Sequence, residues 1–219
     1  MLKESAEPEY VAFSSKLIPG KEGIIGVRIP TIRNIARLII KDDWESYLED
    51  PMTSFEEEML RGIVIATAPM NVERRISLTE GFLPAIDNWS TCDSFCTSWK
   101  FPKKDSDRVH DYFASLIGTD SEFRMRVSVI FRMAQFKDEI RIKRLLDDII
   151  AYDHEGYYYK MGAAWAVSVC YIRFPELTRP YLESPEMDNW VCNKSIQKIR
   201  ESYRVSKEDK ESLKALKRV

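Results

Sequence analysis

Apolar residues recur along this chain at intervals of three and four, and nowhere in sustained alternation. In the stretch from Pro30 to Ile40, Ile32, Ile35, Ala36 and Ile39 fall on one helical stripe, with Pro30 at a first-turn position where its missing N–H costs nothing. Ser54 and Glu57 form a capping-box pattern ahead of Met59, Ile63 and Ala66. Asn71 starts the next helix, through Ile76 and Leu78, and Pro84 marks its end. Asp105 begins a helix over 108–117 that Gly118 stops, and Ser121 begins one that runs to about Gln135. Lys137-Asp138-Glu139 lead into Ile140, Leu145, Leu146, Ile149 and Ile150, and Gly156 precedes a helix from Tyr157 to Phe174. Ser206 and Asp209 cap a last charged helix, and a short run from about Pro8 to Leu17 also reads as helical. No Asn-Gly or Asp-Gly hairpin signal occurs. The expected fold class is therefore all-α. Helices of roughly 10–17 residues joined by short connections suggest stacked antiparallel pairs. Asp87-Asn88-Trp89 recurs as Asp188-Asn189-Trp190, a weak echo that supports a repeat. The expectation is one domain over 1–219, an α-solenoid whose concave face is a natural binding surface.

Composition narrows the possible chemistry. The 219 residues are 44% hydrophobic and 31% charged, as in a soluble globular protein with a sizeable core. Apolar runs such as Ile63-Val64-Ile65-Ala66 are far too short to span a membrane, and the first residues lack the apolar stretch of a signal peptide. A cytoplasmic protein is expected. The four cysteines, Cys92, Cys96, Cys170 and Cys192, then read as reduced and packed. Cys92 and Cys96 have no second pair to complete a tetrahedral set, so no metal site is expected. His110 and His154 belong to no recognisable motif, which leaves carboxylates, Arg, Tyr and Lys to carry any catalysis. The net charge of −2 does not advertise nucleic-acid binding, although a basic face can be balanced by an acidic back.

Three helices hold the candidate chemistry. On the first, Trp89 and Asp93 are four residues apart and share a face. An indole beside a carboxylate suits a developing cation, but a half-buried Trp with a first-turn Asp is the commoner arrangement. On the second, Arg126 lies within the apolar stripe of Phe123, Val127, Ile130 and Ala134. A guanidinium there needs a partner, either a neighbouring acid such as Asp93 or a bound phosphate or carboxylate. On the third, Trp165 is surrounded by Gly162, Ala163, Ala164 and Ala166, small residues that permit close packing or leave the indole facing a cavity.

The Trp-x-x-x-Asp pair at 89 and 93, the Arg126 helix with its apolar run to Phe131, and Trp165 after Lys160-Met161-Gly162-Ala163-Ala164 occur in family order. In these features the chain resembles the AlkD-like family of bacterial DNA alkylation repair proteins, built from HEAT-like repeats, from about Gly26 to about Tyr203. The resemblance implies a DNA glycosylase that releases cationic N3- and N7-alkylated purines from duplex DNA, with no metal and no cofactor. It implies that Asp93 stabilises an oxocarbenium-like sugar or positions water, that Trp89 and Trp165 pack against the lesion sugar and backbone, and that Arg126 holds a phosphate. Such a leaving group departs without a strong general acid, so a single carboxylate suffices. Lys100, Lys103, Lys104, Lys160, Lys194 and Lys198 are candidate backbone contacts, with Arg124 and Arg132 as further ones, although most such cations are simply solvated. The expected partner is duplex DNA containing alkylated purines, bound by a monomer with no membrane association. The alternative is a catalytically silent HEAT-like module that binds DNA or a protein.

Overall fold

A computed structural model describes residues 1–218. Among them are thirteen α-helices and three short 3-10 segments, with no strand. The chain divides into two compact units, the first running from Met1 to Ser106 and the second from Asp107 onward. No helix among the described residues is long and apolar enough to cross a membrane.

The first unit holds α1 (Pro8–Leu17), α2 (Ile29–Lys41), α3 (Trp44–Tyr47), α4 (Phe55–Thr67), α5 (Val72–Phe82) and α6 (Trp89–Ser98). Helix α4 is its centre and packs against both α2 and α6. The stripe of α2 is buried as its spacing predicts, at Ile32, Ile35, Ala36 and Ile39. Ser54 caps α4 by accepting the Glu57 N–H, but Glu57 reaches one residue further back than a capping box requires. Its carboxylate accepts from the N–H and hydroxyl of Thr53 at 2.6 and 2.8 Å. At the other end of α4, the buried Arg75 guanidinium donates to the carbonyls of Ile65, Ala66 and Ala68, which the helix cannot satisfy itself. Burial pushes its pKa down to about 10.

The loop between α1 and α2 is held from beneath. The Glu56 carboxylate, fully buried in α4, accepts the N–H groups of Ile25, Gly26 and Val27 at 3.0, 2.7 and 3.1 Å. Gly26 sits at φ +87°, and a Cβ there would lie 2.4 Å from the Glu7 carbonyl, so only glycine fits.

The second unit holds α7 (Ser106–Ala114), α8 (Glu122–Gln135), α9 (Glu139–Ala151), α10 (Tyr157–Arg173), α11 (Pro175–Glu183), α12 (Asn189–Glu201) and α13 (Lys207–Lys214). Helix α10 is central here and packs against α8, α11 and α12. It is apolar nearly all round, as a central helix must be. Gly156 offers no side-chain cap, so Glu122 of α8 supplies one by accepting the N–H groups of Tyr158 and Tyr159.

The Asp-Asn-Trp echo marks two helix starts in different registers. Asn88 is the cap of α6, which puts Trp89 at the first helical position. In the second copy Asp188 is the cap, and Trp190 stands at the second position and is exposed.

Candidate functional site

Helix α6 is buried on every side but one. Ser90, Thr91, Cys92, Ser94, Phe95, Cys96 and Ser98 are buried, whereas Trp89, Asp93 and Thr97 are not. These three are spaced i, i+4, i+8 and form one continuous accessible stripe. Asp93 stands in the second turn, not the first, so compensation of the helix dipole does not account for a carboxylate there.

The start of this helix is firmly anchored. The Asn88 amide oxygen accepts the Thr91 N–H at 2.9 Å, and its amide donates to the Thr91 hydroxyl and to Asp87. Asp87 in turn pairs with Lys21, whose ammonium also meets Glu58 at 2.7 Å. Burial opposes the charge on Lys21, but its two carboxylate partners outweigh burial and hold the pKa above its ordinary value. The Trp89 indole N–H donates to the Leu17 carbonyl at 3.0 Å, and its ring packs partly on the apolar core built from α2, α3 and α4. Trp89 therefore braces the support beneath Asp93 while keeping part of its ring accessible.

In the second unit, Arg126 of α8 is only 5% exposed. Its Nη1 donates to the Tyr158 carbonyl in the first turn of α10, at 2.6 Å. The two helices approach closely at Gly162, where a Cβ would sit 3.3 Å from Arg126 Cγ and Nη1. Trp165, one turn further on, lies on the partly accessible stripe of α10 with Met161 and Val169. Its indole N–H meets no acceptor among the described residues. Around the first turns of α10 and α12, aromatic groups reach solvent. Tyr157 is 59% exposed and Trp190 38% exposed, and their rings meet edge to face at 6.0 Å. Phe123 and Tyr158 add a second ring pair at 5.4 Å.

The candidate lysines have different surroundings. Lys194 and Lys198 share one face of α12, and Lys194 donates to Gln197 at 3.1 Å. Lys198 is half-buried and has no hydrogen-bond or ion-pair partner among the described residues. Burial, then the charges of Lys194 and Arg126, push its pKa below the usual lysine range. A cation held among cations suits an anion that arrives from solution.

The charged form of Lys198 thus costs stability at pH values below its folded pKa, and that cost disappears above the unfolded lysine pKa. Lys198→Met should raise stability at neutral pH by about 0.5 kcal/mol after solvent screening, on the order of 1–2 °C in melting temperature. The gain should fade at alkaline pH, and DNA affinity should fall. A thermal melt across pH beside a DNA titration checks both, and a lower melting temperature at neutral pH would contradict the assignment.

Lys160 is engaged elsewhere. Its ammonium contacts Glu155 at 3.2 Å and Asp188 at 3.5 Å, two carboxylates supplied by its own unit. Arg132 is 1% exposed and bonds Asp148 at 2.5 Å, so it is a core ion pair and not a surface contact for phosphate. Lys100, Lys103 and Lys104 are exposed.

The sequence reading missed the basic face of α2. Arg33, Arg37 and Lys41 recur at i, i+4, i+8 and line a groove with Lys100, Thr97 and Ser98. The signal was present in the absence of any acidic residue from Arg28 to Lys41. A neutral-looking net charge concealed it.

A search of curated proteins finds no match. A family model described as DNA alkylation repair enzyme matches residues 1–201, nearly the whole chain. With that match and an all-helical fold, the chain belongs to the DNA alkylation repair enzyme family.

Proposed function

We propose that this protein is a DNA glycosylase that hydrolyses the N-glycosidic bond of cationic N3- and N7-alkylated purines in duplex DNA. The observation that carries the reading is the stripe of α6, where a carboxylate and an indole stay accessible in line with Thr97 on a helix whose other residues are buried. Burying seven of the ten residues of α6 while a Trp and an Asp stay accessible is costly for packing alone, because a carboxylate adds nothing to a core.

The chemistry asks little of the protein. An N7- or N3-alkylated purine carries a positive charge. When its bond to C1′ breaks, both electrons go to the base, which leaves neutral. The sugar becomes an oxocarbenium-like cation, and water adds at C1′ and loses a proton to solvent. Asp93 stabilises that cation or orients the water, since a fixed carboxylate beside the sugar gains attraction as charge develops there. Trp89 and Trp165 pack against the lesion sugar and backbone, and the negative faces of their rings add to the same stabilisation. Arg126 holds a phosphate, with Lys194 and Lys198 beside it on the backbone. Lys100, Lys103 and Lys104 are further backbone contacts. Lys160 contributes less, because two carboxylates already neutralise it. In this reading the two units serve one duplex as a single functional domain, monomeric and without metal or cofactor.

The mechanism makes a sharp prediction about substrates. With no strong acid to protonate a neutral base, the protein should release 7-methylguanine and 3-methyladenine but not O6-methylguanine. Chromatography of free bases from duplexes carrying each lesion checks this. Release of the neutral lesion at a similar rate would contradict the single-carboxylate mechanism. A protein that binds duplex DNA and releases no base would instead be a silent binding module.

A further inference from the structure

The groove along α2 in the first unit has about 380 Å³ of space and an unusual lining. Four cations face it, Arg33, Arg37 and Lys41 from α2 and Lys100 from the segment after α6, and no carboxylate does. Arg37 donates to the Asn34 side chain at 2.7 Å. The side chains of Arg33, Lys41 and Lys100 have no hydrogen-bond or ion-pair partner among the described residues. Elsewhere the surface behaves differently, for Arg28, Arg74, Lys143 and Arg179 each have a carboxylate within 3.0 Å. A protein with slightly more acids than bases has left this row of bases unpaired.

We propose that this groove is a track for the phosphates of duplex DNA, outside the Trp89 and Asp93 site and continuous with it through Thr97. The geometry supports a polyanion over a single small anion. Cations at i, i+4, i+8 stand about 6 Å apart along the helix axis, close to the spacing of successive phosphates on one strand. Ala36, Ile40 and Ile63 form an apolar floor along which the side-chain stems can lie while their charged heads stay in water. The hydroxyls of Thr67, Thr97 and Ser98 donate to the carbonyls of Ile63, Asp93 and Ser94, so their protons are already committed. Charge alone recognises the ligand, and binding here is independent of base sequence. The track serves to hold the duplex in register while the α6 stripe meets the lesion.

The inference rests on the reading that the protein binds DNA, and its test separates the two. The full chain is titrated with a short undamaged duplex over a range of salt concentrations. The variant Arg33→Gln/Arg37→Gln/Lys41→Gln is compared with the control Lys143→Gln/Arg144→Gln/Arg179→Gln, which loses the same charge at other positions. Each phosphate contact contributes about 0.9 to the slope of log affinity against log salt. The groove variant should lose about 2 to 3 from that slope, the single variant Lys41→Gln about 1, and the control little. Thermal melts of the variants confirm folding, since all three groove side chains are exposed. A wild type that binds duplex DNA, with a groove variant of unchanged slope, overturns the track and leaves the glycosylase reading standing. A wild type that binds no duplex at any salt concentration overturns both.

Discussion

Asp93→Asn should slow release of 7-methylguanine by about 10²–10³-fold and leave affinity for undamaged duplex nearly unchanged. The substitution keeps the shape of the side chain and removes only its charge. The substrate already bears a positive base, and during cleavage that charge moves to the sugar. A carboxylate fixed beside the sugar is worth more in the transition state than in the ground state, which is the condition for a catalytic effect. The helix that carries it is capped by Asn88, tied to Lys21 through Asp87 and braced by Trp89 on Leu17. The carboxylate is thereby held in place before the substrate arrives, and no reorganisation is needed at the moment of reaction. Single-turnover kinetics on a duplex with one defined lesion reads the chemical step, and a titration with unmodified duplex reads binding. A variant with wild-type rate would remove Asp93 from the chemistry.

Asp148→Ala should destabilise the protein by about 3–5 kcal/mol, through a charge left alone in the core. Arg132 is 1% exposed, and its guanidinium bonds Asp148 at 2.5 Å while Nη2 has no partner. Burial pushes the Arg132 pKa down, with Asp148 opposing that shift. Removing the carboxylate leaves the guanidinium desolvated and uncompensated between α8 and α9. The melting temperature should fall by on the order of 10 °C. Replacing both charges, as in Arg132→Met/Asp148→Asn, should cost less than Asp148→Ala alone, because no lone charge remains. Denaturant melts of the three proteins check this. A double variant less stable than the single one would show that the pair contributes net stability.

Helix starts are readable from sequence where a polar side chain closes the first turn by itself. Ser54, Asn71, Ser121, Asp138 and Ser206 each accept the backbone N–H three residues on, a local bond that needs no tertiary partner. Two helices escaped for other reasons. Helix α11 contains Pro175 and Pro180, which read as breakers, and the four residues of α3 are too few for periodicity to show. The residues of the proposed site were legible as a motif, and the burial pattern that isolates their stripe was not. Apolar spacing predicts which side a helix buries, but the buried positions of α6 itself are largely Ser, Thr and Cys, which carry no strong signal. Charges were least legible. Lys160 is neutralised by Asp188, a residue of α12's cap far along the chain, and Arg132 by Asp148 of the next helix. The row of Arg33, Arg37 and Lys41 lies in a sequence run without acids, but that no acid from another segment faces it is visible only in three dimensions.

The central claim is that the protein breaks the glycosidic bond of a cationic purine. The most direct measurement is the single-turnover rate of 7-methylguanine release from a duplex with one such lesion, with the wild-type protein in excess. The account predicts release well above the spontaneous rate, leaving an abasic site opposite an intact strand. Release at the spontaneous rate, with the duplex demonstrably bound, would contradict it.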